Sequence, residues 1–503
     1  MDLRVHQQRQ TMKDSKPGRR RGAFLSLRPL AASAGLALLA ACSAPATRPA
    51  EPSVALAPSF AHDDRSAAGV PDAAWWAGYG DATLARLVEE ALQANQDVAI
   101  AMQRVRQARA GLQVQDSRLR PSVGVQASVS RSTSGLPEPV KQGFPDTRAL
   151  RAGVDLAWDV DLAGGVRAAR DAAQADAGAA LAGANGARLL VASEVGRQYF
   201  VLRGAQEQLR IVQALAVAQR QTADRMASRL REGQASAFDL DRAHAEADGL
   251  EAQVPPLRAL VGTTQSKLAV LLGRNPSATV VDGEPAFAWP ALRGIAPGQP
   301  AALLQRRPDL MAAEARVAAE GLRSAEARAQ WWPRLFLNAL VGRQDLKLNA
   351  LDLAPVRFSN VALALAAPVF NGGRIEAGIQ AQAARAEEAL LAWQKAVLVA
   401  VQEVEDSLLV RQQQAARGAA LAQAVEHRRR SLQRAESLQR EGQVDLLVLL
   451  DVQRAVLASE LALSDSRLQQ ALADVQLYKA LGGGLPAVSA ESASLPIAAR
   501  TSR

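Results

Sequence analysis

Apolar residues recur at helical spacing from Asp81 to Leu119. Leu84, Leu87, Val88, Leu92, Val98, Ile100 and Val105 keep mostly to one face at the helical period, after an Asp suited to capping a helix start. Pro121 ends that run and the period shortens to two. Val123, Val125, Ala127 and Val129 alternate with Ser122, Gly124, Gln126, Ser128 and Ser130, which predicts a strand with one apolar face. A Gly/Pro-rich loop follows, and Leu150, Ala152, Val154, Leu156, Trp158 and Val160 alternate in the same way with Arg151, Gly153, Asp155, Ala157 and Asp159. After Gly164-Gly165 the helical period returns, from about Val166 to Arg231. At 1.5 Å per residue that run is on the order of 100 Å long, beyond what a helix sustains without partners along its length.

The pattern then repeats. Arg231-Glu232-Gly233-Gln234 ends the first long run, and the same four residue types stand 209 residues later as Arg440-Glu441-Gly442-Gln443. Gly after a helical run fits a tight turn, because it reaches positive φ at little cost, so each copy reads as the tip of a helical hairpin. Pro255-Pro256 interrupts the first return helix, and Leu271-Leu272-Gly273 closes it. Arg306-Arg307-Pro308-Asp309 has the residues of a helix start and is assigned to capping. Pro333 ends that helix as Pro121 ended its counterpart. Leu335, Leu337, Ala339 and Val341 predict a third strand; Val361, Leu363, Leu365, Ala367 and Val369 predict a fourth. A second long helix runs to Gly442, and its return ends at Leu481-Gly482.

These elements divide the chain into a leader (1–41), a tether (42–72), a first repeat (73–273), a linker with five prolines (274–300), a second repeat (301–482) and a tail expected to be disordered (483–503). The leader carries basic residues Arg19 to Arg21 and Arg28 before apolar Leu30 to Ala41. Leu39-Ala40-Ala41-Cys42 then has the form of a bacterial lipobox. Cys42, the single cysteine, is therefore the expected lipidation site, and several acyl chains there would anchor the mature chain stably. No later stretch offers the roughly 20 apolar residues of a membrane-spanning helix, so a membrane span would have to be β. The strands suit that: 9–11 residues with one apolar and one polar face are what a tilted barrel strand needs.

The net charge of +9 falls mainly in the leader, which contributes +6, and the rest of the basic residues are interspersed with acids. That distribution argues against nucleic acid as a partner. His6, His62, His244 and His427 have no metal-ligand or triad-like spacing, so neither a metal nor an enzyme is indicated. Gly482-Gly483-Gly484-Leu485-Pro486-Ala487 formally fits a dinucleotide fingerprint. It follows a helix and lacks a βαβ unit, so no cofactor is assigned.

Four strands cannot close a barrel, and open edges in lipid leave backbone groups unsatisfied, so the chain must oligomerise. The elements resemble the TolC/OprM-type outer-membrane efflux proteins, in the NodT-like lipoprotein branch. The resemblance covers roughly residues 70 to 484. It is carried by Leu39 to Cys42, Trp75-Trp76, Trp158 to Leu162 before Gly164-Gly165, Leu304 to Asp309 with Ala313-Glu314, Pro368 to Arg374, Glu403-Val404, Leu449 to Gln453 and Lys479 to Gly483. Ala163 departs from the usual aromatic.

The resemblance implies a mainly α fold of two tandem repeats, each a helix, a β-hairpin and a long helical hairpin. It implies a homotrimer whose 12-stranded transmembrane β-barrel continues as a periplasmic α-helical barrel. It also implies an exit duct for small toxic compounds, lipid-anchored in the cell outer membrane, whose tips Arg231 to Gln234 and Arg440 to Gln443 meet a periplasmic adaptor joined to an inner-membrane efflux pump. The closed end of relatives transfers a gate onto Leu447 and Asp451; a solvated helix face for Asp451 and a helix seam for Leu447 are the structural alternatives. Protein secretion through the same duct, or a lipid-anchored coiled-coil scaffold without a pore, remain alternative functions.

Overall fold

The computed structural model describes residues 54–62, 74–133, 135, 137, 146–281, 287–290, 295–348, 351–352 and 354–484, all within the compact unit Pro49–Arg503. Cys42 and the tail from residue 485 lie outside the described residues. After a 3-10 turn at Trp75–Tyr79, the chain forms α1 (Ala82–Ala94), α2 (Gln96–Ser117), β1 (Ser122–Ser132), β2 (Thr147–Val160), α3 (Gly165–Arg231), α4 (Ala237–Glu251) and α5 (Val254–Leu271). It continues as α6 (Leu303–Arg306), α7 (Pro308–Ala329), β3 (Arg334–Leu348), β4 (Leu351–Asp352), β5 (Val356–Ala366), α8 (Arg374–Arg440) and α9 (Leu446–Ala480).

The two long helices α3 and α8 have 67 residues each, about 100 Å at 1.5 Å per residue. Both start behind a left-handed glycine, Gly164 and Gly373, which turns the chain sharply out of the preceding segment. Partners run along them, as their length demands: α2, α4, α5, α7 and α9 pack on α3, and α7 and α9 pack on α8. The largest core lies midway along the helices. Trp75, Leu84, Leu87, Val195, Tyr199, Phe200, Leu268 and Val475 fill it from five segments of chain. A second core joins Trp393, Val397 and Val404 of α8 to Leu310 and Leu477.

Three expectations need correction. The run from Asp81 to Leu119 is two helices, because Asn95 leaves helical geometry and its Oδ1 caps α2 by accepting from the Asp97 and Val98 amides at 2.8 and 3.3 Å. The fourth strand stops at Ala366; Pro368 has no N–H to pair, and Val369 and Phe370 stand outside the sheet. The tether contains an ordered stretch, since Phe60 is buried in the second core and the Ala61 and His62 amides donate to Glu405 at 2.7 and 3.2 Å. Pro255-Pro256 does interrupt the return helix, at the start of α5.

Candidate functional site

The four long strands form one antiparallel sheet in the order β1-β2-β3, with β4 and β5 sharing the far edge of β3. Its register puts like with like. One face carries Val123, Leu156, Ala339 and Val361 in a row, and the next row holds Val125, Val154 and Val341. The opposite face carries Gly124, Asp155, Leu340 and Asn360, then Ser128, Arg151 and Gln344 two rows further out. This sheet is apolar on one side over its rows nearer the helices, with cationic residues on that side farther out, and mixed polar on the other; β1 and β5 are its long open edges. The edge strands expose their apolar side chains: Val125 is 84% and Val361 73% accessible. Among the described residues no helix is long and apolar enough to cross a membrane.

At the other end of the long helices the repeated tetrapeptides adopt the same turn twice. Gly233 and Gly442 are left-handed, at φ 70° and 72°. The Gln234 amide donates to the Arg229 carbonyl at 2.8 Å and the Gly233 amide to Leu230 at 3.0 Å; Gln443 and Gly442 donate likewise to Leu438 and Gln439 at 2.9 and 3.1 Å. These are Schellman closures, which satisfy the last carbonyls of α3 and α8. Arg231 and Arg440 fold back onto their own helices, reaching the carbonyls of Ala227 and Glu436 and the hydroxyls of Ser228 and Ser437. Glu232, Gln234, Glu441 and Gln443 stand exposed around each glycine. The entry to the return helix differs between copies: Ser236 and Asp239 form a reciprocal capping box at α4, whereas Asp445 precedes α9.

Just past the second tip, Leu447 is half-buried and Asp451 exposed. The buried side of this turn is separate. Leu450 packs with Ala223, Met226 and Ala243, and Gln453 accepts from Gln219 at 2.9 Å. Asp451 is exposed on the side away from that packing, and among the described residues Arg454 is its ion-pair partner, at 3.6 Å. Arg454 also grips Glu246 on α4 with Nε and Nη2, Nε at 2.8 Å, which ties the two return helices together. The Arg454 hydrogen bond holds the Glu246 carboxyl below its usual range. At the position equivalent to Asp451 in the first repeat stands Arg242, so the two tips differ in charge where the helices begin.

The model of the outer membrane efflux protein family matches residues 87–274 and 300–483. The chain belongs to that family. This efflux protein is 32% identical over 462 residues to the pyoverdine export outer membrane protein OpmQ of Pseudomonas putida, covering 90% of its own length and 96% of the relative. It is 30% identical over 455 residues to the outer membrane protein OprJ of Pseudomonas aeruginosa, covering 89% and 94%. Among solved structures it matches the outer-membrane channel OprN with a TM-score of 0.79 at 27% identity, over 87% of its own chain and 99% of the channel. It is thus a transport protein of the outer membrane, and efflux is its task.

Two polar assemblies of the efflux protein escaped the sequence reading. Arg307, assigned to capping, makes no side-chain cap to its own helix. Instead its guanidinium donates to Asp309 at 3.0 and 2.7 Å, to Glu403 of α8 at 2.6 Å and to the Ala480 carbonyl ending α9 at 3.1 Å. Asn95 does the equivalent in the first repeat, donating to the Leu271 carbonyl at 2.9 Å. The second assembly is Arg454 with Glu246. The legible signal there was opposite charge at nearly equivalent places in the two return helices.

Proposed function

We propose that the efflux protein is the passive exit duct of a tripartite system and that three copies of it build the pore. The open edges of an outwardly apolar sheet carry this reading. Backbone groups at a strand edge cannot be left in lipid, and four strands are too few to close. Three copies joined β1 to β5 give 12 strands with the apolar face toward lipid and Arg151, Asp155 and Gln126 toward a wet lumen. The long helices then extend the lumen into the periplasm, and acylated Cys42 holds each subunit to the membrane.

The tips Arg231 to Gln234 and Arg440 to Gln443 are the docking rim for a periplasmic adaptor, which joins the duct to an inner-membrane pump. Their arginines stiffen the helix ends, which leaves Glu232, Gln234, Glu441 and Gln443 to make the contacts. Leu447 and Asp451 form the gate: three copies of each, converging on the axis, give an apolar ring and an acidic ring. The exposed, outward-aimed carboxylate of Asp451 supports this. The Arg454–Glu246 pair ties the gate helix α9 to α4 of the first hairpin. The cargo is small toxic compounds delivered by the pump; a relative named for pyoverdine export is consistent with small-molecule cargo.

In-cell photocrosslinking from position 443 tests the docking assignment. The expected product joins the duct to a periplasmic adaptor and is lost when the crosslinker is moved to the outward face of the sheet, at Val125. Equal yields from both positions, or no adaptor from position 443, contradict it.

A further inference from the structure

We infer that the outer rim of the barrel carries a surface for the phosphate groups of outer-leaflet lipid, an inference that rests on the barrel reading above. The observation is the charge on the lipid-facing side of the sheet at the end far from the helices. Arg131 pairs in register with Arg148, and Arg148 with Lys347, so three cations stand side by side across β1, β2 and β3. Two rows nearer the helices, Arg343 lies directly opposite Arg357 on β3 and β5. All five share a face with Val125, Val154 and Leu156, because they keep the same parity along their strands.

Like charges directly opposite one another destabilise a sheet pair, since their Cβ atoms are only about 5 Å apart. An array of this kind needs an anion. Lys347 has an interaction partner of its own, and Asp345 lies between the rows, so the unmet charge rests on the arginines. Arg131, Arg148, Arg343 and Arg357 are exposed and enter no ion pair among the described residues.

The height fits lipid headgroups. At about 3.3 Å per residue and a tilt of about 40°, the Arg343–Arg357 row stands roughly 20 Å above Val160, and the Arg148 row roughly 30 Å above it. The apolar band of such barrels is about 25 Å tall, so the two rows bracket its outer edge. Long arginine side chains can keep their stems against acyl chains and their heads among phosphates. Planar guanidinium groups bind phosphate bidentately, and several of them side by side favour a headgroup with more than one phosphate and a net negative charge over a zwitterionic phospholipid, whose single phosphate is offset by its own ammonium. Three subunits repeat the array around the rim. The occupant is a phosphorylated glycolipid of the outer leaflet.

The test uses full-length trimer in nanodiscs of phosphatidylethanolamine containing a minor fraction of bisphosphorylated lipid A, with retained lipid counted by native mass spectrometry. Wild-type protein should retain that lipid at least about five-fold better than dephosphorylated lipid A or phosphatidylglycerol. R343Q/R357Q and, separately, R148Q should lower retention toward the dephosphorylated level, and millimolar inorganic phosphate should not displace the bound lipid. Equal retention of phosphorylated and dephosphorylated lipid, undiminished retention in both variants, or displacement by free phosphate overturns the inference. Conductance of the same preparations separates the two claims. Failure with a conducting trimer overturns the rim surface alone, whereas absence of any conducting trimer overturns the barrel reading beneath it.

Discussion

Arg307 illustrates how a single side chain can stitch together the belt of this protein, the zone where the start of α7, the middle of α8 and the end of α9 meet. Its guanidinium is almost enclosed, with side-chain exposure of 10%, and it meets Asp309, Glu403 and the end of α9. Removing it would leave Glu403 and the Ala480 carbonyl without their partner. Because the two carboxylates keep some water, Arg307→Ala should cost about 2–3 kcal/mol, less than the rupture of a fully buried pair. A fall in the melting temperature of the trimer checks this. Burial alone would raise the Asp309 carboxyl, but the hydrogen bonds and charge of Arg307 outweigh it and bring it below the usual range. A carboxylate depressed in the folded state contributes stability above its unfolded pKa, near 4, and loses it as pH falls through the folded value. Melting temperature should therefore be flat from neutral pH to about 5 and decline below about 4, with a shallower decline in Arg307→Ala. At this scale the sequence was only partly legible. The Arg-Pro-Asp order marked a helix start, but the partners of Arg307 lie 96 and 173 residues away and no local pattern points to them.

At the scale of elements, periodicity was a good guide where one face of a segment is buried or lipid-facing. It located both hairpins and both long helices. It misled where a single residue's chemistry overrides the pattern. Val98 follows Leu84 by 14 residues, close to four helical turns, so the cap that divides α1 from α2 is invisible to the period. Alternation through Val369 ignored the missing donor of Pro368. The glycines separate two kinds of turn. A Cβ on Gly442 would meet nothing within 4 Å, so Gly442→Ala should cost only the left-handed backbone strain of about 1–2 kcal/mol, confined to the tip. A Cβ on Gly482 would lie 2.7 Å from the Arg306 carbonyl oxygen, in the belt. Gly482→Ala should add an overpacking cost of about 1–3 kcal/mol and lower global stability. Hydrogen exchange distinguishes them: faster exchange limited to the ends of α8 and α9 is expected for the first, and faster exchange across the belt for the second. Matching profiles would contradict this division of roles.

For the whole molecule, the repeat and the change of period made the architecture legible: two copies of a unit that cannot close a barrel alone, on helices too long to stand alone. The ends of the molecule were less so. Tip residues were found because the tetrapeptide recurs, whereas the tie between α4 and α9 through Arg454 was hidden by a separation of 208 residues. As an exposed pair it is worth about 0.2–1 kcal/mol, enough to bias a gate without locking it. The duct account is tested most directly by single-channel conductance of the purified trimer in planar bilayers, compared between wild type and Asp451→Ala. It predicts channels in both, with the open level larger or more often occupied once the acidic ring is gone. Folded trimers that conduct in neither form would contradict the duct itself, and identical conductance in both would remove Asp451 from the gate.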